Sequence, residues 1–227
     1  MKTIQIAIDG PAASGKTTVA RGVASRLHVL YLDTGAMYRA LAYLALGTRT
    51  DADNGAALAR LEATQPIRVV PDPNARLGFR VYAGDAELSE DTLQSNEVTA
   101  VVSTVAAHKE VRELMVRAQR EAADSVSVVM AGRDIGTVVL PNAEVKIFLT
   151  ASVGARVARR KAQLDAAGAD VDVHRLTEEI QERDRLDRTR AVSPLEAAPG
   201  AHVIDSSDVT AERVVDDICS IVAIASR

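Results

Sequence analysis

One segment near the start of the chain constrains both the fold and the ligand more than any other. Residues Gly10 to Thr17 read Gly-Pro-Ala-Ala-Ser-Gly-Lys-Thr and follow the apolar run Ile4 to Ile8. The spacing of the glycines lets backbone N–H groups turn toward phosphate oxygens, while the lysine reaches the outer phosphates and the last hydroxyl faces Mg²⁺. The segment predicts a nucleoside triphosphate site formed by Gly10, Pro11, Ala12, Ala13, Ser14, Gly15, Lys16, Thr17 and Thr18, with Thr17 directed at the metal.

The surroundings of this phosphate loop (Gly10 to Thr17) favour a strand-loop-helix unit. Val19, Val23 and Leu27 share one helical face directly after the loop. The N-terminus of that helix adds positive potential to the same anion site. Because the motif follows a strand and precedes this face, the context argues against the alternative of a glycine-rich turn that only starts a helix.

Length and charge bound the class of protein. A chain of 227 residues has room for one sizeable domain with insertions. A net charge of −4 argues against a nucleic acid or an anionic membrane as the main partner. The lone cysteine, Cys219, excludes an internal disulfide, and its apolar neighbours indicate a small core residue. Without a signal-peptide pattern or a long apolar run, the sequence predicts a cytoplasmic protein.

Short apolar runs alternate with longer helical patterns along most of the chain. Strands are predicted at 4–8, 29–32, 126–130, 144–149 and 202–204. This alternation is typical of parallel strands joined by right-handed crossovers, with ligands at the carboxyl ends of the strands. The sequence therefore predicts an α/β fold with the phosphate loop at such an end.

The region 66–88 interrupts the alternation. Turn residues are found at Pro71 to Asn74 and at Gly84-Asp85, and the alternating apolar residues around them are Ile67, Val69, Phe79 and Val81. Short antiparallel strands are therefore predicted. With helical stretches at about 53–64 and 97–123 on either side, this region is expected to form an inserted lobe.

A helix predicted at about 174–190 has an inward face that begins apolar and continues charged. Leu176, Ile180, Arg183, Asp187 and Arg190 fall within roughly 80° of one another at 100° per residue. Surface pairing of Arg183 with Asp187, four residues apart, is one explanation. The other is a movable cover whose arginines close over an anion and keep out water, which would compete as a phosphoryl acceptor.

Arginines also follow two of the predicted strands. Arg39 comes soon after the second strand, where Asp33 and Thr34 are expected to cap a helix. Arg133 directly follows the third strand, and its pairing with Asp134 has a structural as well as a functional interpretation. Because the carboxyl ends of the strands meet at one rim, these arginines and Arg190 are expected near each other. One triphosphate does not need so many guanidinium groups.

Five motifs in this order resemble the bacterial cytidylate kinases, which phosphorylate CMP and dCMP with ATP. The motifs are Ile8-Asp9-Gly10-Pro11 with Gly15-Lys16-Thr17, then Asp33 to Arg39, Gly132 to Val139, Val145 to Leu149, and Glu182-Arg183-Asp184 with Arg190 to Leu195. The resemblance implies a three-layer P-loop fold with a parallel central sheet, an inserted NMP-binding lobe with a small antiparallel sheet, and a lid. The resemblance implies a single domain over 1–227. Its core would lie at about 1–35, 125–165 and 200–227, its NMP-binding lobe at about 36–124 and its lid at about 166–190.

The resemblance also implies roles for particular residues. The cytosine would be contacted by Ser103, Arg112 and Asp134. The sugar would lie near Arg183 and Asp187. The acceptor phosphate or the group in transfer would be held by Arg39, Arg133 and Arg190. The substrate site would also include Thr34 and Tyr38. Arg159 and Arg160 are similar to helix arginines that approach the donor phosphates, although a solvated face is the alternative. The catalytic candidates are Lys16, Arg133, Arg183 and Arg190.

One residue departs from the family pattern. Family members have an acidic residue before Gly-Arg-Asp, where phosphate-loop enzymes place a carboxylate for Mg²⁺ or its bound water, and this chain has Ala131. Loss of a carboxylate that acts through metal-bound water costs roughly 10- to 100-fold in activity or metal affinity. Asp9 and Asp134 are the residues considered as replacements.

The resemblance implies an ATP- and Mg²⁺-dependent kinase for CMP or dCMP. A monomer is expected, and the charge argues against nucleic-acid or membrane partners. A related kinase for another acceptor, such as UMP or shikimate, differs only at the base site. Ala131 motivates a second alternative, a nucleotide-binding protein with little kinase activity. A regulatory GTPase is a weaker alternative, since the chain has no Asn-Lys-X-Asp run for reading guanine.

Overall fold

The computed structural model describes residues 3–72, 75, 78–166, 168 and 170–225. In chain order its elements are β1 (Gln5–Asp9), α1 (Lys16–Leu27), β2 (Leu30–Asp33), α2 (Thr34–Thr48), α3 (Gly55–Thr64), β3 (Ile67–Pro71), β4 (Phe79–Ala83), β5 (Ala86–Leu88), α4 (Glu90–Gln94), α5 (Asn96–Val105), α6 (Lys109–Ala122), β6 (Val128–Gly132), a π-helical turn (Ile135–Val139), β7 (Val145–Thr150), α7 (Val153–Ala166), α8 (Val173–Thr189), β8 (His202–Asp205) and α9 (Ala211–Ala225).

Five parallel strands form the central sheet in the order β2-β6-β1-β7-β8. Both faces of β1 are covered, because Ile6 and Ile8 pack into one buried cluster and Ala7 into another. A strand covered on both faces is apolar along its length and not alternating, which explains the apolar run in the sequence. Helices α1 and α9 lie against each other on the first face. The π-helical turn and α6 border the second cluster.

The inserted lobe contains the predicted antiparallel sheet, in the order β3-β4-β5. Gly84, with φ of 58°, makes the turn between β4 and β5, a left-handed conformation that glycine adopts without steric cost. In the other predicted turn, Pro71 to Asn74, the last two residues lie outside the described residues. So do 167 and 169 in the irregular stretch that begins the predicted lid.

Each strand predicted from the sequence is present, with ends shifted by one or two residues. The helical stretch predicted at 97–123 is two helices, since His108 takes an extended backbone and caps α6. Its ring shares a hydrogen bond of 2.8 Å with the carbonyl of Ala52. This tertiary contact, and no glycine or proline, separates the two helices.

The predicted α/β fold class is confirmed: a parallel sheet lies between helical layers, with a small antiparallel sheet inserted. Cys219 on α9 is half-buried and packs against the core. In the described part of the chain, no helix is both long and apolar enough to cross a membrane.

Candidate active site

Three neighbouring strands end at one rim of the sheet, and each leads into a predicted site segment. β1 ends at Asp9, directly before the phosphate loop, and β2 ends at Asp33, directly before α2. β6 ends at Gly132, directly before Arg133. The three segments that sequence analysis identified separately are therefore adjacent in space, as expected for the carboxyl ends of parallel strands.

The phosphate loop has the tight curl that its glycines predict. A Cβ atom on Gly10 would lie 2.0 Å from the carbonyl oxygen of Leu149, so only glycine fits there. Gly15 has φ of 92° and begins α1. The ammonium of Lys16 reaches back across the loop and donates to the carbonyl of Pro11 at 2.5 Å. The loop therefore holds its lysine over the space where phosphates bind in such loops.

Neighbouring elements hold the loop from outside. The carbonyl of Ser14 accepts hydrogen bonds from the Ser206 hydroxyl at 3.0 Å and from Arg159 at 3.4 Å. Arg159 also donates to the Ser206 hydroxyl at 3.1 Å. Arg159 is thus attached to the loop and not part of a solvated face. Arg160, one residue on, is half-buried.

Arg156, which is not among the predicted site residues, links the loop to α8. The Arg156 side chain is buried and donates to the carbonyl of Ala12 at 3.3 Å. It also donates twice to Asp184 of α8, at 2.9 and 2.6 Å. The available signal was its spacing of one helical turn before Arg160, beside the apolar Val157. Arg156 couples the donor loop to the helix that carries the predicted lid arginines.

Five cations, which we call the cation cluster, lie close enough to influence each other's charge: Lys16, Arg39, Arg133, Arg160 and Arg183. Burial lowers the pKa of Lys16 well below its usual value, and the nearby Arg133 lowers it further. Burial, with Arg133 and Arg39, also lowers the pKa of Arg183 to about 9. Such concentrated positive charge is unfavourable without an anion between its members.

The carboxylate of Asp187 lies within the cation cluster. It accepts a hydrogen bond of 2.7 Å from Arg133. Burial raises the pKa of Asp187, but Arg133 and then Arg183 outweigh burial, so the net pKa is lowered. Asp187 is 7% exposed, so the surface Arg183–Asp187 pair considered as an alternative is not what the fold forms.

A second group, the Arg112 cluster, contains Tyr38, Arg112, Asp134 and Arg190. Arg112 forms a buried ion pair with Asp134 and lies over the Tyr38 ring, 5.3 Å from its centroid. Arg190 is 3.9 Å from the other oxygen of Asp134. Within the described part of the chain, Arg112 Nε, Arg190 Nη2 and the Tyr38 hydroxyl are buried without a hydrogen-bond partner. Buried unpartnered donors mark a place where a ligand supplies the missing acceptors.

The remaining predicted residues are less closely tied to these clusters. Ser103 is half-buried on α5, and among the described residues no hydrogen bond joins it to the Arg112 cluster. Thr34 is buried, and its hydroxyl donates to the Ala131 carbonyl at 3.0 Å. Thr17 and Thr18 are exposed at the start of α1.

The two carboxylates considered as replacements at position 131 have other partners. Asp9 accepts from the backbone N–H groups of Ile135 and Gly136, at 2.8 and 2.7 Å. Burial raises the pKa of Asp9 to about 6, although these two bonds oppose the shift. Asp134 is held by Arg112. Both carboxylates are therefore already engaged by donors of this chain.

The chain is similar to known proteins along most of its length. The family model described as cytidylate kinase matches residues 6–224. A cytidylate kinase from Exiguobacterium sibiricum is 47% identical over 95% of both chains, and one from Geobacillus kaustophilus is 48% identical over 97% of both. A solved structure of an uncharacterized Eubacterium ventriosum protein, 13% identical, has a TM-score of 0.55 over 97% of this chain and 99% of that one, which shows the fold alone. The chain belongs to the cytidylate kinase family.

Proposed function

We propose that this chain transfers the γ-phosphoryl group of ATP to CMP or dCMP, forming ADP and CDP or dCDP. The observation that carries the proposal is the pair of cationic sites on one rim. The cation cluster adjoins the phosphate loop, and the Arg112 cluster contains Arg190, which directly follows α8. Two anionic ligands facing each other account for both sites better than one triphosphate does.

The acceptor oxygen is already an anion, so no general base and no covalent intermediate are needed. Catalysis then consists of aligning two phosphates in line and neutralising the charge between them. Lys16 contacts the outer donor phosphates, and Arg39, Arg133 and Arg190 contact the acceptor phosphate or the group in transfer. Arg183 is the remaining catalytic candidate. Bound phosphates also relieve the repulsion among these cations, so the low pKa values of Lys16 and Arg183 rise when ligands bind.

Base selection is assigned to the Arg112 cluster together with Ser103. Arg112 forms an ion pair with Asp134, and a carboxylate accepts from the exocyclic amine of cytosine. Uracil presents a carbonyl at that position, so Asp134 would repel it. Tyr38 packs under Arg112 and fixes the guanidinium of that residue. Arg183 and Asp187 are assigned to the sugar, and Thr34 and Arg39 to the acceptor side.

Mg²⁺ is assigned to Thr17. The hydroxyl of this residue borders a cavity of about 30 Å³ that Asp33 and Arg39 also line, and oxygen donors beside phosphates are the environment that Mg²⁺ prefers. When bound, Mg²⁺ supplies positive charge between donor and acceptor phosphates. Arg159 and Arg160 are assigned to the donor side of the same loop.

The proposal includes the division into a core, a lobe at 36–124 and a lid at 166–190. It also includes action as a monomer in the cytoplasm, with small molecules as the only partners. Light scattering at the concentrations used for activity tests the oligomeric state. A dimer that persists through the assay would contradict that part of the proposal.

The test is ADP release measured with CMP, dCMP, UMP, AMP or no acceptor. Turnover should be fastest with CMP or dCMP, and Lys16→Ala should abolish it. Lys161→Ala is the matched control, because Lys161 lies on α7 and pairs with Asp165 away from the loop. Faster turnover with UMP or AMP would contradict the base assignment, and ATP binding without ADP release would favour a nucleotide-binding protein.

A further inference from the structure

Residue 131, near the end of β6, is alanine and offers no carboxylate, whereas the neighbouring strand offers one. Asp33 ends β2 and is paired in parallel register with Ala131 of β6. Side chains at paired positions of adjacent parallel strands project from the same face, about one strand spacing apart. The carboxylate of Asp33 therefore starts from the same face of the sheet, one strand away from the missing group.

Asp33 is also oriented toward the metal-directed hydroxyl. Its Oδ2 accepts a hydrogen bond of 3.2 Å from Thr17 Oγ1, and its Oδ1 caps α2 by accepting from Gly35 N–H at 2.9 Å. Both Thr17 and Asp33 line the cavity of about 30 Å³ described above. A water needs roughly 10 to 15 Å³, so the cavity that these two side chains border has room for a metal-bound water.

Glu90 of α4 also lines this cavity. Four other carboxylates near the loop are each held by donors of the chain. Asp9 is bound by two backbone N–H groups, Asp134 by Arg112, Asp184 by Arg156 and Asp187 by Arg133. Within the described residues, Asp33 Oδ2 accepts hydrogen bonds from two neutral hydroxyls, those of Thr17 and Tyr31. Neutral hydroxyls release an oxygen to a cation far more readily than an arginine does.

We propose that Asp33 replaces the missing carboxylate of position 131 as the acidic residue that anchors the hydrated magnesium ion beside Thr17. The proposal rests on the proposed function, because the ion is the one that accompanies ATP. Mg²⁺ keeps several waters and takes one or two carboxylates together with substrate phosphates. That agrees with the described residues, in which no group of three or more His, Cys, Asp or Glu side chains could hold a metal alone.

The test compares ATP binding by calorimetry in Mn²⁺ and in EDTA, for the wild type and Asp33→Asn. Asparagine caps a helix as well as aspartate does, so the variant keeps the α2 cap and loses only the charge. With Mn²⁺ the variant should bind ATP about 10-fold more weakly. In EDTA it should bind ATP as tightly as the wild type or more tightly, because a negative charge beside the triphosphate is gone.

Two further variants make the result specific. Tyr31→Phe removes the other hydroxyl on Asp33 Oδ2 without changing charge, so its Mn²⁺-dependent affinity should equal that of the wild type. Adding Ala131→Asp to Asp33→Asn returns a carboxylate to the same face and should restore the Mn²⁺-dependent affinity. That rescue also shows that Asp33→Asn did not act by misfolding.

The outcomes separate this inference from the proposed function. If the wild type binds ATP more tightly in Mn²⁺ and Asp33→Asn shows the same gain, Asp33 does not anchor the metal. If Ala131→Asp fails to rescue a folded Asp33→Asn, the two positions are not equivalent and the inference is wrong. If the wild type binds no ATP under either condition, the kinase assignment itself fails.

Discussion

The buried pair of Arg156 and Asp184 should be one of the strongest ion pairs in the chain, and its strength can be measured. The two side chains are 4% and 14% exposed and share hydrogen bonds of 2.9 and 2.6 Å. Removing one member of such a pair leaves the other charge buried and costs about 3 kcal/mol. Arg156→Met should cost more than Asp184→Asn, because Arg156 also donates to the carbonyls of Ala12 and Ala151.

A double-mutant cycle in urea isolates the pair from these additional contacts. The coupling free energy between Arg156→Met and Asp184→Asn should be about 2 kcal/mol. Each single change should lower the melting temperature by roughly 6 to 12 °C, given about 2 to 4 °C per kcal/mol in a chain of this length. Thermal and urea unfolding of the four proteins provide both numbers.

The matched control is an exposed ion pair on α8, the helix that carries Asp184. Arg175 and Glu179 lie four residues apart on α8 with a 3.0 Å contact, and their side chains are 78% and 58% exposed. Their coupling should be no more than about 0.5 kcal/mol. The reasoning would be refuted if the buried pair coupled no more strongly than this exposed pair.

Two more predictions concern the phosphate loop and the strand before it. Gly10→Ala should abolish ATP binding in calorimetry and lower the melting temperature, because its Cβ would lie 2.0 Å from the Leu149 carbonyl; normal binding would mean that the loop adapts. For Asp9 the pKa is raised from 3.8 to about 6 by burial, so its contribution to stability is greatest below pH 3.8 and is lost as pH rises through 6. The free energy of unfolding of the wild type minus that of Asp9→Asn should therefore fall by about 2 kcal/mol between pH 4 and 7.5, and a difference that is constant over this range would contradict the assignment.

Local sequence signals were sufficient wherever a feature depends on near neighbours in the chain. The phosphate loop, the strands and the charged face of α8 follow from glycine spacing, apolar runs and helical periodicity. The same signals failed at His108, where a contact with the distant Ala52 separates α5 from α6. They were also too weak to single out Arg156, because its partners Ala12 and Asp184 lie 144 and 28 residues away.

The sequence by itself determined the fold class and the family, and it predicted a set of candidate site residues. The tertiary structure decided which of these residues meet. Only the parallel register of β2 with β6 brings Asp33 beside Ala131, and only the folded rim makes the cations lower each other's pKa values. The physical reason is that hydrogen bonds and charge repulsion act over a few ångströms of space, whereas the partners are separated by tens of residues along the chain.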